Sequence, residues 1–147
     1  MDEAAFRATR SAIGRQPCIF ETALLARCAD CALAARHALA ERETLGCRSP
    51  VARANCATLL GLLRERSAFA LKTGQRDVPL PHAMTMRLQG GGLAGLAQAV
   101  EAEHPHDVHA LVAAAQARFG GLSDMPWPGI VAAIRDWKGR RRREGPS

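Results

Sequence analysis

A net charge of +6 on a chain of 147 residues, 48% of them hydrophobic and 4% aromatic, indicates one domain with a core of its own. No run approaches the roughly 18 apolar residues that a membrane-spanning helix needs, and the apolar segment of a signal peptide does not follow the acidic start at Met1-Asp2-Glu3. We therefore expect a cytoplasmic protein that has no membrane partner. Abundant Ala and Leu, with few β-branched and aromatic residues, favour helices over strands.

Three helices are predicted in the first half of the chain. Residues 1–15 form a short helix, and residues from about Phe20 to Glu43 form a long helix that contains neither Gly nor Pro. Ser49 and Pro50 fit an N-cap and the first helical position, so the third helix is predicted from Pro50 to about Lys72. Its inward side chains are expected to be Leu59, Leu60, Leu62, Leu63 and Phe69.

Proline and glycine divide the second half into further helices. These are expected over about 82–104 with an interruption or restart at Gly90-Gly91-Gly92, over about 107–119 with Asp107 as N-cap, and over about 128–138. No strand pattern competes with these helices. We predict an all-α fold, a compact single-domain bundle of about five to six helices over residues 1–138, followed by a disordered basic tail over residues 139–147.

Positive charge is concentrated in two parts of the chain. Residues 1–76 contain twelve Arg and Lys against seven Asp and Glu, and residues 135–147 contain six against two. A basic surface attracts acidic partners, so we expect an acidic protein redox partner. Nucleic acid is the weaker alternative for this surface and for the arginine run at residues 140–143.

The five cysteines all lie within the first 56 residues, at positions 18, 28, 31, 47 and 56. Because disulfides are rare in the cytosol, such a group indicates metal binding or redox activity. Four thiolates are what an iron–sulfur cluster or a structural zinc ion requires. Neighbouring cations lower thiol pKa values and favour the ligating thiolate, and six arginines lie close by in the sequence: Arg15, Arg27, Arg36, Arg42, Arg48 and Arg53.

The cysteine spacing favours a cluster over a single ion. If the helices on either side of Cys47 form an antiparallel hairpin, Cys56 lies roughly 10 Å from Cys31 along the helix axis. A [4Fe–4S] cubane bridges about that gap, whereas a zinc ion with bonds of about 2.3 Å does not. A straight helix would place Cys18 about 20 Å from Cys31, so Cys18 is a ligand only if the chain folds back before Phe20 or the helix breaks near residues 29–30.

Four of the five cysteines are therefore predicted to hold a [4Fe–4S] cluster: Cys18, Cys31, Cys47 and Cys56. Cys31 is preferred to Cys28 because it is closer to Cys47 and Cys56 along the helix axis. Cys28 is therefore the alternative ligand. Zinc is the alternative metal. His37 could replace one cysteine as a ligand, but a surface position is the simpler interpretation. His104, His106 and His109 fit either a weak divalent-ion site or a polar junction between helices.

The sequence contains no catalytic constellation. Gly90-Gly91-Gly92 lacks the Lys-Ser/Thr pair of a phosphate loop and indicates a hinge or close helix packing. The hypothesis that follows is a small iron–sulfur protein for electron transfer or redox sensing, not an enzyme. The alternative is an interaction or regulatory protein in which the cysteines are structural or bind zinc, and whose basic surface docks a partner or nucleic acid.

Overall fold

The computed structural model describes residues 16–39, 42–73 and 78–139. The helix predicted over residues 1–15 and the basic tail beyond Gly139 lie outside these ranges. In the described chain the prediction of an all-α fold is wrong, because strands β1 (Ala34–Leu39) and β2 (Arg42–Cys47) form a two-stranded antiparallel sheet. The architecture is mixed, though largely helical.

The long helix predicted from Phe20 to Glu43 is replaced by α1, Glu21–Leu25, and the β1–β2 hairpin. Helix α1 ends because Arg27 adopts a left-handed φ of 63°. The N–H of Cys28 then donates to the Ala23 carbonyl at 2.9 Å and the N–H of Arg27 to the Leu24 carbonyl at 3.1 Å, which is the Schellman pattern of a helix end.

Burial explains why a helix-favouring sequence forms strands here. Ala34 pairs with Cys47 at one end of the hairpin and Leu39 pairs with Arg42 at the other. This register places Leu45 in the core with no solvent exposure. Helix propensity differs by at most about 0.7 kcal/mol per ordinary residue, so burial of the Leu45 side chain, about 1.5–3 kcal/mol, offsets the preference of about two to four residues, and the burial of Thr44 and the pairing of the strands add to it. Tertiary packing therefore overrides the local preference.

The other predicted helices are present with small shifts. Ser49 caps α2 by accepting the N–H of Ala52 at 3.1 Å, and Asp107 caps α5 by accepting the N–H of His109 at 3.1 Å. The remaining elements are α2 (Pro50–Leu71), α3 (His82–Met86), a π-helical turn (Arg87–Gly91), α4 (Gly92–Val100), α5 (Val108–Phe119), a short 3-10 turn (Leu122–Asp124) and α6 (Trp127–Asp136).

The glycine run lies in the π-helical turn and at the start of α4, where it permits close packing against α6. A Cβ atom added at Gly91 would lie 2.8 Å from the Cα of Ile134, and one added at Gly95 would lie 2.9 Å from the Cβ of Ala133. The backbone of Gly91 and Gly92 stays right-handed and helical. The run therefore allows two helices to approach each other, in agreement with the packing interpretation.

The core lies between α2, α4, α5 and α6, with α1 and β2 against one end. Its side chains with at most 1% exposure include Leu24, Leu45, Leu59, Leu63, Leu96, Leu111, Ile130 and Ile134. The prediction that Phe69 points inward is wrong, since this side chain is 97% exposed. Phe69 follows buried Ser67 by two residues, which is about 200° around the helix.

Candidate functional site

Residues 16–18 bring Cys18 beside Cys47. This extended segment lies antiparallel to β2, with Pro17 opposite Gly46. The N–H of Cys18 donates to the Leu45 carbonyl at 3.1 Å, and the N–H of Cys47 donates to the Gln16 carbonyl at 2.8 Å. Residues 16–18 therefore fold back along β2, which meets the condition that the sequence analysis set for Cys18 to lie near the other cysteines.

The start of the hairpin brings Cys31 to the same place. The N–H of Ala34 donates to the Cys31 carbonyl at 3.1 Å, which forms a turn directly before β1. Ala34 is the partner of Cys47 in the sheet. The N–H of Arg48 also donates to the Leu33 carbonyl at 3.0 Å. These contacts fix the Cys31 turn against the end of β2.

Helix α2 supplies the fourth cysteine. The helix begins shortly after Cys47, whose thiol donates to the Ser49 carbonyl at 3.2 Å. Cys56 follows in the second turn of α2. Arg53, three residues earlier, donates from Nε to the Pro17 carbonyl at 2.8 Å. This bond joins α2 to the extended segment that carries Cys18.

The four cysteines line one cavity between the hairpin, α2 and α5. About 50 Å³ of this cavity is open to the centre of a water molecule, several times the roughly 10–15 Å³ that one water requires. The wall is mainly apolar, and its residues other than the cysteines are Ile19, Phe20, Leu33, Ala34, Gly46, Ala52, Arg53, Asn55, Val108, His109, Val112, Ala113 and Gln116.

The four cysteines share the cavity wall, but they are not arranged as a site for one metal ion. In the part of the chain that the structure describes, no group of three or more His, Cys, Asp and Glu side chains is arranged to hold one metal ion. Each of the four cysteines that line the cavity is half-buried and free of a disulfide.

Burial raises the pKa of two of these thiols far above the ordinary value of 9.0. The pKa of Cys56 is raised to about 12 by burial and by the charges of Cys31, Cys18 and Cys47. The pKa of Cys18 is raised to about 11 by burial, against a backbone hydrogen bond with Phe20 that lowers it, and by the charges of Cys31 and Cys47. Without a cation in the cavity, these two thiols keep their protons at neutral pH.

Cys31 occupies a more polar part of the wall. Burial raises its pKa, backbone hydrogen bonds with Leu33 and His109 lower it, and the charge of Asp107 raises it. Backbone amides therefore stabilise a thiolate at this position, although burial and the carboxylate outweigh them. His109 and the amides around it belong to the first turn of α5, so this helix contributes to the site together with the hairpin and α2.

Other residues considered from the sequence lie elsewhere or take different roles. Cys28 is half-buried, packs against the hydrophobic core and does not line the cavity. His37 is exposed on β1 opposite Thr44 and is not part of the cavity wall. The histidines at 104, 106 and 109 are all exposed, and of the three His109 lines the cavity.

Sequence reasoning missed the contributions of α5 and of Arg53. The pattern of α5 was visible, since Asp107 was predicted as its N-cap. The first turn of α5 lies against the Cys31 turn because of contacts between residues more than 70 positions apart. One of them is the hydrogen bond from the Asp30 N–H to the His106 carbonyl at 2.6 Å. A local pattern does not contain such a contact.

Comparison with known proteins leaves the site to be interpreted from its own geometry. No protein-family model, curated protein or solved structure matches this chain. None of the helices in the described ranges combines the length and the apolar character needed to cross a membrane.

Proposed function

We propose that this protein binds one [4Fe–4S] cluster through Cys18, Cys31, Cys47 and Cys56, and that it acts in electron transfer or redox sensing. One observation carries the proposal. Four cysteines from an extended segment, a turn, a strand end and a helix line the same cavity. Four thiolates are the ligand set of such clusters.

A cluster is preferred to a zinc ion because the four cysteines come from separate elements around one cavity. They do not form a group placed to hold one ion, and the cavity that they line has room for more than a single water. Structural zinc needs four ligands at about 2.0–2.3 Å from one centre.

The raised thiol pKa values bear on what the site can do when no metal is bound. Burial and mutual repulsion raise the pKa values of Cys18, Cys31 and Cys56. A bound metal reverses this balance, because coordination deprotonates thiols and its positive charge offsets theirs. A nucleophilic or peroxide-reactive cysteine must form a thiolate at neutral pH, so a raised pKa makes it less reactive. The raised pKa values therefore disfavour thiol catalysis at this site, and a bound metal would have to displace the thiol protons.

The surrounding residues would tune such a group. A [4Fe–4S] cluster supplies one-electron transfer when it is bound, at a potential set by charge, hydrogen bonds to sulfur and solvent exposure. Leu33 and His109 offer backbone amides to Cys31, and Arg53 places a positive charge in the wall. The apolar remainder of the wall limits the access of water. Exposed Arg48, directly after Cys47, adds positive charge at the end of β2 and fits an acidic protein partner.

Anaerobic reconstitution tests the proposal. Reduced, metal-free protein is incubated with Fe²⁺ and sulfide, desalted and examined by visible absorption before and after dithionite. We expect a broad visible absorption that dithionite bleaches. The Cys47→Ser variant should fail to develop it, and Cys28→Ser is the matched control that should develop it as the unmodified chain does. A colourless product from the unmodified chain would refute the cluster, and tight uptake of one zinc in its place would favour the zinc-binding alternative.

A further inference from the structure

Asp107 lies where the cysteine turn meets helix α5. The backbones of Asp30 and Asp107 form a parallel bridge. The N–H of Asp30 donates to the His106 carbonyl at 2.6 Å, and the N–H of Val108 donates to the Asp30 carbonyl at 2.8 Å. These two bonds attach the residue before Cys31 to the start of α5.

The side chain of Asp107 attaches the residue after Cys31 as well. Its Oδ1 accepts the N–H of Ala32 at 3.3 Å and the N–H of His109 at 3.1 Å, with a longer bond from the N–H of Ala110 at 3.5 Å. One carboxylate oxygen therefore caps α5 and holds the cysteine turn. Cys31 lies between the two attachments, Asp30 on one side and Ala32 on the other.

The same attachments bring the start of α5 to the cavity. Val108 and His109, the two residues that follow Asp107, line the wall that Cys31 also lines. The Asp107 carboxylate is half-buried and close enough to Cys31 for its charge to raise the pKa of that thiol. Asp107 thus has a geometric effect on Cys31 through hydrogen bonds and an electrostatic effect through its charge.

We propose that Asp107 is a positioning residue of the cysteine site: its carboxylate holds the Cys31 turn against the first turn of α5, so that Cys31 faces the cavity, and its negative charge favours the oxidised state of the occupant. The positioning part concerns the protein alone. The electrostatic part rests on the proposed cluster.

Two reporter proteins test the positioning without metal. One retains Cys31 and Cys47, the other retains Cys18 and Cys47, and the remaining three cysteines of each are Ser. Dibromobimane becomes fluorescent when it bridges two nearby thiols. Asp107→Asn removes the negative charge but keeps an oxygen that accepts the same bonds, so it is the reference for Asp107→Ala. Relative to Asp107→Asn, Asp107→Ala should slow bridging of Cys31 to Cys47 by about fivefold, the effect of one lost hydrogen bond, and leave bridging of Cys18 to Cys47 unchanged.

The control variant is Asp124→Ala, which removes an exposed carboxylate from the 3-10 turn and should change neither rate. Equal slowing of both reporters by Asp107→Ala would mean general loosening of the fold and would overturn the positioning role. Unchanged rates in both reporters would overturn it as well. Because the reporters contain no cluster, neither result depends on the proposed function.

The electrostatic part is measured on the reconstituted protein. Asp107→Asn removes one negative charge beside Cys31 and should raise the reduced-to-oxidised ratio at a fixed potential by about fivefold, which is a midpoint shift of about +40 mV at 59 mV per tenfold for one electron. A midpoint potential that does not change would overturn the electrostatic role. If reconstitution yields no cluster, the proposed function and the electrostatic role are both refuted, and the reporter rates still decide the positioning role.

Discussion

Single Cys→Ser substitutions at all five positions should divide the cysteines into two classes. Cys18, Cys31, Cys47 and Cys56 line the cavity, and Cys28 does not. Serine retains a similar size but is a poor ligand for iron. We therefore expect four variants that lose the visible absorption of the reconstituted protein and one variant, Cys28→Ser, that keeps it.

The expected loss follows from the size of the ligand set. Four-ligand structural metal sites contribute about 10–16 kcal/mol of binding free energy, so one ligand accounts for about 3 kcal/mol and its loss weakens binding by about 100-fold or more. Cys28 is half-buried and packs on the core, so its replacement by Ser should cost about 1 kcal/mol. That change lowers the melting temperature by roughly 2–4 °C in a chain of this size.

The assay is iron content per chain after reconstitution and desalting, with circular dichroism as the check that each variant is folded. The metal-free melting temperature of every variant is measured in parallel, which separates loss of a ligand from loss of the fold. A Cys28→Ser variant that loses iron while one of the cavity variants keeps it would refute the assignment of ligands from the cavity. Retention of iron by all five variants would refute a cysteine-bound cluster altogether.

Three further results follow from burial, capping and ionisation. Leu45→Ala should destabilise the protein by about 2–5 kcal/mol in urea denaturation because Leu45 is fully buried, whereas Val51→Ala, at a 73% exposed position, should change stability by less than about 0.5 kcal/mol. Ser49→Ala should lower the free energy of unfolding by about 1 kcal/mol, because the hydrogen bond from the Ala52 N–H is lost, and Ser49→Gly should lower it by only a few tenths. Equal losses in the two variants would contradict a capping role. The contribution of Cys18 and Cys56 to the stability of the metal-free protein should be fully present below pH 9 and be lost as the pH rises toward 11–12, because unfolded thiols ionise near 9.0 while these two keep their protons to about 11 and 12. A free energy of unfolding that stays constant above pH 9 would contradict this, and so would the same decline in the double variant Cys18→Ser, Cys56→Ser.

Elements with strong local signals could be predicted from the sequence. Ser49-Pro50 marks the start of α2 and Asp107 the start of α5, and both residues cap their helices through side-chain bonds. A cap acts within three residues of its own position, so the sequence contains the whole interaction. The same holds for the glycine run, whose small residues indicate close packing before the partner helix is known.

The hairpin could not be predicted in this way. Residues 34–39 are rich in Ala and contain no β-branched side chain, so their local preference is helical. Their strand conformation depends on β2, on the buried side chain of Leu45 and on the left-handed backbone of Arg27. An arginine in place of the usual glycine at a helix end gives no sequence signal, which is why the predicted helix continued through the site where α1 stops.

The sequence predicts the four cavity cysteines by assuming a helical hairpin, whereas the structure has α1 and a β-hairpin before α2. The preference for Cys31 over Cys28 came from distance along a helix axis, whereas the structure places Cys31 at the cavity through a turn and a strand. The spacing therefore indicated a local cysteine site but not its architecture. The roles of Asp107, His109 and Arg53 required long-range contacts, which only the folded chain provides.

Iron, acid-labile sulfide and zinc measured on protein purified without oxygen test the central claim most directly. A [4Fe–4S] cluster held by the four cysteines of the cavity predicts about four iron and four sulfide per chain, with zinc well below one. One zinc and no iron would contradict the cluster and support a structural metal site. No metal in protein that is folded and has all five thiols reduced would contradict metal binding at these cysteines.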